Sequence, residues 1–316
     1  MKKLRIEQTA AFLLAHDNYA ILTHRRPDGD TLGSAAALCR ILRHMGKTAH
    51  ILRNPEITDR FAWLHQGLTK EEAAEGDTLV TVDVASPQML PVAFEKYLGR
   101  IALRIDHHAS ATSFTDCELV MPERAACAEI IADLLSPLNY GVMEQELADA
   151  VYVGISTDTG CFRFANTTGH TFSVAAACAC AGARIYELNQ TLFETNTLGR
   201  LKIQGWIVDN LKMLRSGELA IVAIPRAVEQ AIGVTEDDMD NISSFPRTVA
   251  GVRVAATLRE TREGDVKLSV RAVPGCDATV IAGKFGGGGH KGAAGATLKL
   301  PLHEAAKAVE AAMLEM

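Results

Sequence analysis

The sequence predicts an α/β protein: a doubly wound, mainly parallel sheet in the first half and a smaller α+β domain in the second, joined by a helical linker. Three observations predict it. Short apolar β-type runs alternate with helical patterns over the first half, the arrangement of a parallel sheet covered on both faces. A stretch of helical character with little clustered Pro or Gly, LFETNTLGRLKIQGWIVDNLKML, follows at 192–214. Beyond it come hairpin-like runs, four consecutive glycines and a terminal amphipathic pattern. The expected boundaries are therefore 1–191, 192–214 and 215–316, and the length suits two domains.

The elements follow in order. The start, MKKLRIEQTAAFLLAHDNYA, has a basic tip, but Glu7, Gln8, His16 and Asp17 break its apolar stretches. It reads as an amphipathic helix rather than a signal peptide. Strands are predicted at 19–24, 48–53, 78–83, 101–106 and 151–156. Between the first two, Leu38, Ile41, Leu42 and Met45 recur at helical spacing, predicting a helix over 34–45 that Gly46 stops. In the second half, strands are predicted at 219–224, 253–258 and 266–271, the last two forming a hairpin closed by Glu263, Gly264 and Asp265. A strand near 296–300 and a helix from His303 end the chain.

Composition narrows the function. No apolar run approaches the roughly 18 residues that span a bilayer, so no membrane association and a cytoplasmic location are expected. The seven cysteines are odd in number and scattered, which suits reduced thiols. Cys178 and Cys180 stand two apart in a helical stretch, so their side chains diverge and do not share a metal. The net charge of -6 argues against a protein that tracks along nucleic acid on a basic stripe. Two bound divalent cations would change the sum to -6 + 4 = -2 and make the local field cationic.

The placement of the acidic residues carries the most information. His24, Asp28 and Asp30 follow the first predicted strand in THRRPDGDTLGS; Asp83 ends the next in TLVTVD. Asp106, His107 and His108 end IALRID and open a loop, and Asp158 follows VYVGIS. All lie at expected carboxyl ends of parallel strands, where open α/β sheets bind ligands. A single Asp at such a place is commonly a cap or turn residue, but four strand ends together point to one crevice. Clustered carboxylates oppose one another's ionisation, and divalent metals remove that penalty. Oxygen and imidazole donors without thiolate suit manganese or a similar metal, and two such ions can clamp a phosphoryl group.

Further candidates surround this cluster. Gly29 is expected to let the loop between Asp28 and Asp30 bend sharply. Gly33 and Ser34 are expected to open the next helix, with its N–H groups facing an anion. Thr157 and Arg163 read equally as pocket residues or as ordinary turn and surface residues. The remaining histidines, His16, His44, His50, His65, His170 and His303, read as structural. In the second domain the run Gly286, Gly287, Gly288, Gly289 permits close backbone approach to an anion. His290 and Lys291 add donors beside it, and Arg271 near a strand end could fork onto a phosphate or stack on a base.

In order and spacing, THRRPDGDTLGS, VDV, RIDHHAS and GISTDTGCFRF resemble the four motifs of the DHH phosphoesterase superfamily. FGGGGHKGAAGA, after the strand LSVRA, resembles the DHHA1 domain. Together they cover nearly the whole chain, which is similar in length and order to the nanoRNase/pAp phosphatase group. The resemblance implies two divalent metal ions, Mn2+ foremost. One would be held by His24, Asp28 and Asp83, the other by Asp30, Asp83, His107 and Asp158, with Asp83 bridging and a metal-activated hydroxide attacking. It implies that Asp106 orients a histidine ligand and that His108 contacts the scissile phosphate or protonates the leaving oxygen. Arg271 and His290 would grip the substrate away from the metals, across a cleft hinged at 196–214.

The expected function is hydrolysis of short oligoribonucleotides and of 3′-phosphoadenosine 5′-phosphate (pAp), with a homodimer suggested by the resemblance alone. A cyclic or linear dinucleotide phosphodiesterase is the runner-up. A pyrophosphatase would lack the glycine run with its histidine, and a RecJ-like exonuclease fits poorly with the short, acidic chain. A non-catalytic nucleotide sensor would lack metal ligands, and none is missing from the pattern.

Overall fold

The computed structural model describes residues 2–109 and 112–316, so Ser110 of the RIDHHAS motif lies outside the described residues. The chain divides into two compact units, Met1–Thr195 and Asn196–Met316. The first contains strands β1 (Lys2–Lys3), β2 (Tyr19–Leu22), β3 (Ala49–Leu52), β4 (Thr69–Lys70), β5 (Thr78–Val82), β6 (Ile101–Asp106) and β7 (Cys117–Val120). They form one sheet in the order β1-β7-β6-β5-β2-β3-β4, and every pairing is parallel.

The strand residues alternate between two apolar layers, as a period of two requires. Tyr19, Ile21, Ile51, Val80, Val82, Leu103 and Ile105 join the core under the helices Gly29–His44, Cys127–Asp133 and Gln145–Asp158. Ala20, Leu22, Leu52, Leu79 and Ile101 face Leu90, Phe94 and Tyr97 on the other side. Both faces are thus covered, and β2, β3 and β6 are short and almost wholly buried. From β2 the chain runs outward to β3 and β4, then returns to β5 on β2's other flank. The strand order therefore reverses between β2 and β5, and a crevice opens beyond their carboxyl ends at such a switch point.

One predicted strand is a helix. Residues 151–156 lie inside the helix Gln145–Asp158, whose residues from Leu147 to Ser156 are all buried. A helix enclosed on every side shows no polar stripe, so its Val-Tyr-Val-Gly-Ile run reads like a buried strand. Glycines let it lie close to the Gly29–His44 and Cys127–Asp133 helices. A Cβ on Gly33 would come within 2.4 Å of the Ala150 carbonyl oxygen, and one on Gly154 within 2.4 Å of Ala128 Cβ. Three short strands, β1, β4 and β7, were not predicted from the sequence.

The second unit has the strands β8 (Lys212–Leu214), β9 (Leu219–Ile224), β10 (Val254–Glu260), β11 (Val266–Ala272), β12 (Gly288–His290) and β13 (Ala293–Leu298). Their order is β12-β13-β11-β10-β9-β8; β9 and β10 are parallel and the other pairs antiparallel. The β10–β11 hairpin turns where expected, with Gly264 at φ +84°. The helices Thr279–Lys284 and Leu302–Leu314 pack on one face through Ile281, Ala305 and Val309. The helix Leu198–Asn210, expected as a linker, belongs to this unit: Ile203 and Ile207 pack on Val222 and Ile224. Among the described residues no helix is long and apolar enough to cross a membrane.

Candidate active site

His24 follows β2 and Asp83 follows β5, so the two flank the switch point. His24 is 6% exposed. Its Nδ1 donates to the Arg25 carbonyl at 2.8 Å, which leaves Nε2 facing Asp28 Oδ1 and Asp83 Oδ2, each at 3.5 Å. Asp28 is the N-cap of the Gly29–His44 helix, its Oδ1 accepting from the Asp30 and Thr31 N–H groups. Asp83 is buried and takes a left-handed φ of +59°. That turn aims its carboxylate at both sides of the crevice: Oδ1 lies 3.4 Å from His107 Nε2 and 3.6 Å from His108 Nδ1.

Asp30 is buried against the Cys127–Asp133 helix. Its Oδ2 accepts from Cys127 N at 2.6 Å, and Oδ1 accepts from Ala128 N and Ser34 Oγ. His107 Nδ1 donates to the Arg124 carbonyl at 3.2 Å. His107 Nε2 then faces Asp30 Oδ2 and Asp158 Oδ2, both at 3.8 Å. Asp158 closes the crevice from the last turn of the Gln145–Asp158 helix, not from a strand end as expected. Three strand ends and one helix end therefore converge.

Asp106 orients His108 rather than His107: its Oδ1 accepts from His108 Nδ1 at 2.8 Å and from both backbone N–H groups that follow. His108 Nε2 is left for another partner. Ser34, expected at a helix N-terminus facing substrate, sits a turn inside the helix, fully buried. It braces Asp30 instead, because the helix starts five residues earlier than the periodicity suggested. Gly29 does not bend a loop either. It begins the helix, and a Cβ there would meet Thr157 Oγ1 at 2.4 Å. Thr157 itself donates to Val153 O, and Arg163 donates to Gly160 O.

Three sets of donors converge closely enough to hold a cation, their atoms within 4.8 Å of one another: His24, Asp28 and Asp83; Asp30, His107 and Asp158; Asp83, His107 and His108. The electrostatics fit such an ion. Burial opposes protonation of His24, yet the charges of Asp28 and Asp83 overcome it and hold its pKa well above the usual value. Burial likewise opposes protonation of His107, but Asp83 and Asp30 push its pKa up to about 10. Burial raises Asp158 to about 7, with Asp83 adding to the effect against His107. Burial also raises Asp30 well above the carboxylate range. Asp83 runs the other way: burial would raise it, but the facing His107 and His24 imidazoles hold it below the usual range. The cluster thus demands positive charge at its centre, and Asp83 Oδ1 is buried without a hydrogen-bond partner. The nearby thiol of Cys127 is turned to the Ile105 carbonyl, so the donors are oxygen and imidazole only.

Sequence reasoning missed two supports. Arg124 acts through its carbonyl, which no side-chain pattern announces. Asn166 Nδ2 donates to the carbonyls of Asp158 and Ala125, tying the helix end to the Arg124 segment; it stands just past the GISTDTGCFRF motif.

In the second unit the glycine run is partly strand. Gly288–His290 pairs with β13, and a Cβ on Gly287 would fall 2.1 Å from the Gly295 carbonyl oxygen. Gly289, at φ +144°, would place one 2.5 Å from the Ala293 oxygen. Arg271 and His290 both pair with Ala293, so they share a face of the sheet about 10 Å apart, two strand spacings. Arg271 donates to the Val270 carbonyl, and no carboxylate lies within ion-pair distance of it among the described residues. Burial, and then the charge of Arg247, lower its pKa. His290 and Lys291 are exposed.

A parallel sheet with carboxylates and imidazoles gathered at its switch point, followed by a mixed-sheet unit that carries a glycine run before His290, defines a class of phosphoester hydrolases. The chain belongs to the DHH family: residues 18–155 match its N-terminal domain and residues 222–315 match the DHHA1 domain. It is similar to the bifunctional oligoribonuclease and PAP phosphatase NrnA of Thermus thermophilus, at 36% identity over 93% of this chain and 89% of that one. The Bacillus subtilis protein of the same name is 27% identical over 90% of each chain. The fold matches the crystal structure of an exopolyphosphatase-related protein from Bacteroides fragilis, with a TM-score of 0.88 at 21% identity, covering 98% of this chain and 95% of that one.

Proposed function

We propose that the chain hydrolyses short oligoribonucleotides and pAp with the help of two divalent cations, manganese being the ion its donors suit. The observation that carries this reading is Asp83, whose two carboxylate oxygens face separate donor sets. His24, Asp28 and Asp83 would hold one ion; Asp30, Asp83, His107 and Asp158 would hold the other. When bound, such ions polarise the phosphoryl group and lower the pKa of water. His108 contacts the scissile phosphate or protonates the leaving oxygen through Nε2, with Asp106 fixing its ring. Arg271, His290, Lys291 and the backbone of Gly287, Gly288 and Gly289 bind the rest of the substrate. The names of the two NrnA relatives support the substrate class. The free cysteines suit a reducing, cytoplasmic setting, and a homodimer is carried over from the family resemblance.

A turnover panel tests the substrate. It compares pAp, RNA and DNA dinucleotides, cyclic dinucleotides, pyrophosphate and an oligomer of about 20 nucleotides at equal concentrations of ends. Aromatic residues make up only 5% of the chain and Lys and Arg form no run, so no track for stacking successive bases is expected. Catalytic efficiency is expected to peak at about two to four nucleotides, the span of a single small-molecule cleft. Equal efficiency on the long oligomer refutes the reading in favour of a processive exonuclease.

The second unit's part is tested apart from the metals. Arg271→Ala is expected to raise KM by about 10- to 100-fold, the worth of a charge-assisted hydrogen bond, with kcat and bound metal unchanged. A loss confined to kcat would place Arg271 against the transition state instead.

A further inference from the structure

We propose that Arg104 is a positioning residue of the hydrolytic site, clamping the segment that carries Asp83 to the loop that carries His107 and His108. The inference rests on the reading of those residues given above. Arg104 lies on β6, two residues before Asp106, and is 1% exposed. Its Nη1 donates to the Ala85 carbonyl at 3.1 Å and to the Thr112 carbonyl at 2.8 Å. Its Nη2 donates to Glu118 Oε2 on β7 at 2.5 Å. Ala85 stands two residues after Asp83, and Thr112 four after His108. The Ala85 oxygen also accepts from Thr112 N at 2.8 Å. Ser113 Oγ donates to Glu118, and the Phe114 ring lies 5.3 Å from the guanidinium carbon.

The location explains the need. The β5–β6 ladder ends at Val82 and Ile105; beyond it, among the described residues, the backbone bonds from Asp83 N–H to Ile105 and from Thr112 N–H to Ala85 join the two segments. Arg104 reinforces the outer of these, binding the Ala85 and Thr112 carbonyls together. A buried ion pair is seldom more stable than apolar residues of similar volume, so stability alone gives weak reason for a guanidinium here. What it provides is a rigid fork of donors that holds two carbonyls at a set separation. That separation governs how far Asp83 Oδ1 lies from His107 Nε2 and His108 Nδ1, now 3.4 and 3.6 Å. A misplacement of about 1 Å at such a site can cost 10²-fold in rate.

The test uses the double variant Arg104→Met/Glu118→Leu in the full chain, which removes both charges together and leaves neither unpaired. Expected results are a melting temperature close to wild type, a kcat lower by about 10- to 100-fold, the usual loss when a ligand's support is removed, and little change in KM. Calorimetric titration with Mn2+ in the absence of substrate is expected to show weaker binding. Arg104→Lys, whose ammonium lacks the planar fork, is expected to fall between the two. A folded double variant with wild-type kcat and Mn2+ affinity overturns the proposal, as does a loss of kcat that only tracks a fall in melting temperature. Should the double variant not fold, Arg104→Lys decides: wild-type kcat and Mn2+ affinity refute the clamp. Failure of the two-ion reading itself shows separately, as undiminished metal binding in Asp83→Asn.

Discussion

Replacing Asp83 by Asn is expected to end turnover and to lower the number of bound divalent ions, while the protein stays folded. Asparagine is the informative change because residue 83 sits at φ +59°, a conformation that Asn and Asp tolerate better than Ala. The amide keeps the shape and the backbone but removes the charge that faces His24 on one side and His107 on the other. The loss should exceed the 10- to 100-fold typical of a ligand's outer support, since both proposed ions lose a ligand at once. Metal content by elemental analysis and kcat under saturating Mn2+ are the measurements. Wild-type values for both would remove Asp83 from its bridging place.

Substituting His108 by Ala is expected to separate chemistry from metal binding. Its Nδ1 is engaged by Asp106, so Nε2 is the atom left to meet substrate. If that atom transfers a proton, kcat falls by about 10²- to 10⁴-fold while both ions stay bound. His107→Ala is the contrast, because its Nε2 faces Asp30, Asp83 and Asp158 together, and metal should be lost with activity. His108 also belongs to one of the three donor sets. Loss of an ion from His108→Ala would therefore make it a ligand and leave the proton-transfer role without a residue.

The candidate site was more legible in the chain than the elements that carry it. Asp28, Asp83 and the Asp106-His107-His108 triplet stand beside short apolar strands, and that proximity survives in any parallel sheet. Asp158 does come beside His107, but from a helix end rather than the expected strand end. Residues 151–156 have strand-like composition, yet they form a helix because packing on all sides outweighs local preference. Ser34 was misplaced for a related reason. The apolar repeat marks only where the helix meets the core, while Asp28 starts the helix a turn and a half earlier by capping it.

The amino-acid sequence by itself determined the α/β class, the two-part organisation, the oxygen-and-imidazole donor set and the glycine-flanked His290, because each depends on residue type and short-range spacing. Only the tertiary structure decided which donors meet. The strand order puts His24 and Asp83 on either side of the switch point, although they stand 59 positions apart in the chain. The close approach allowed by Gly33 and Gly154 brings the end of a helix to the same crevice. The Arg124 carbonyl behind His107 and the Ala85 and Thr112 carbonyls that accept from Arg104 are backbone atoms, alike in every residue. Their partners exist only once the chain has folded, so no pattern of side chains could announce them.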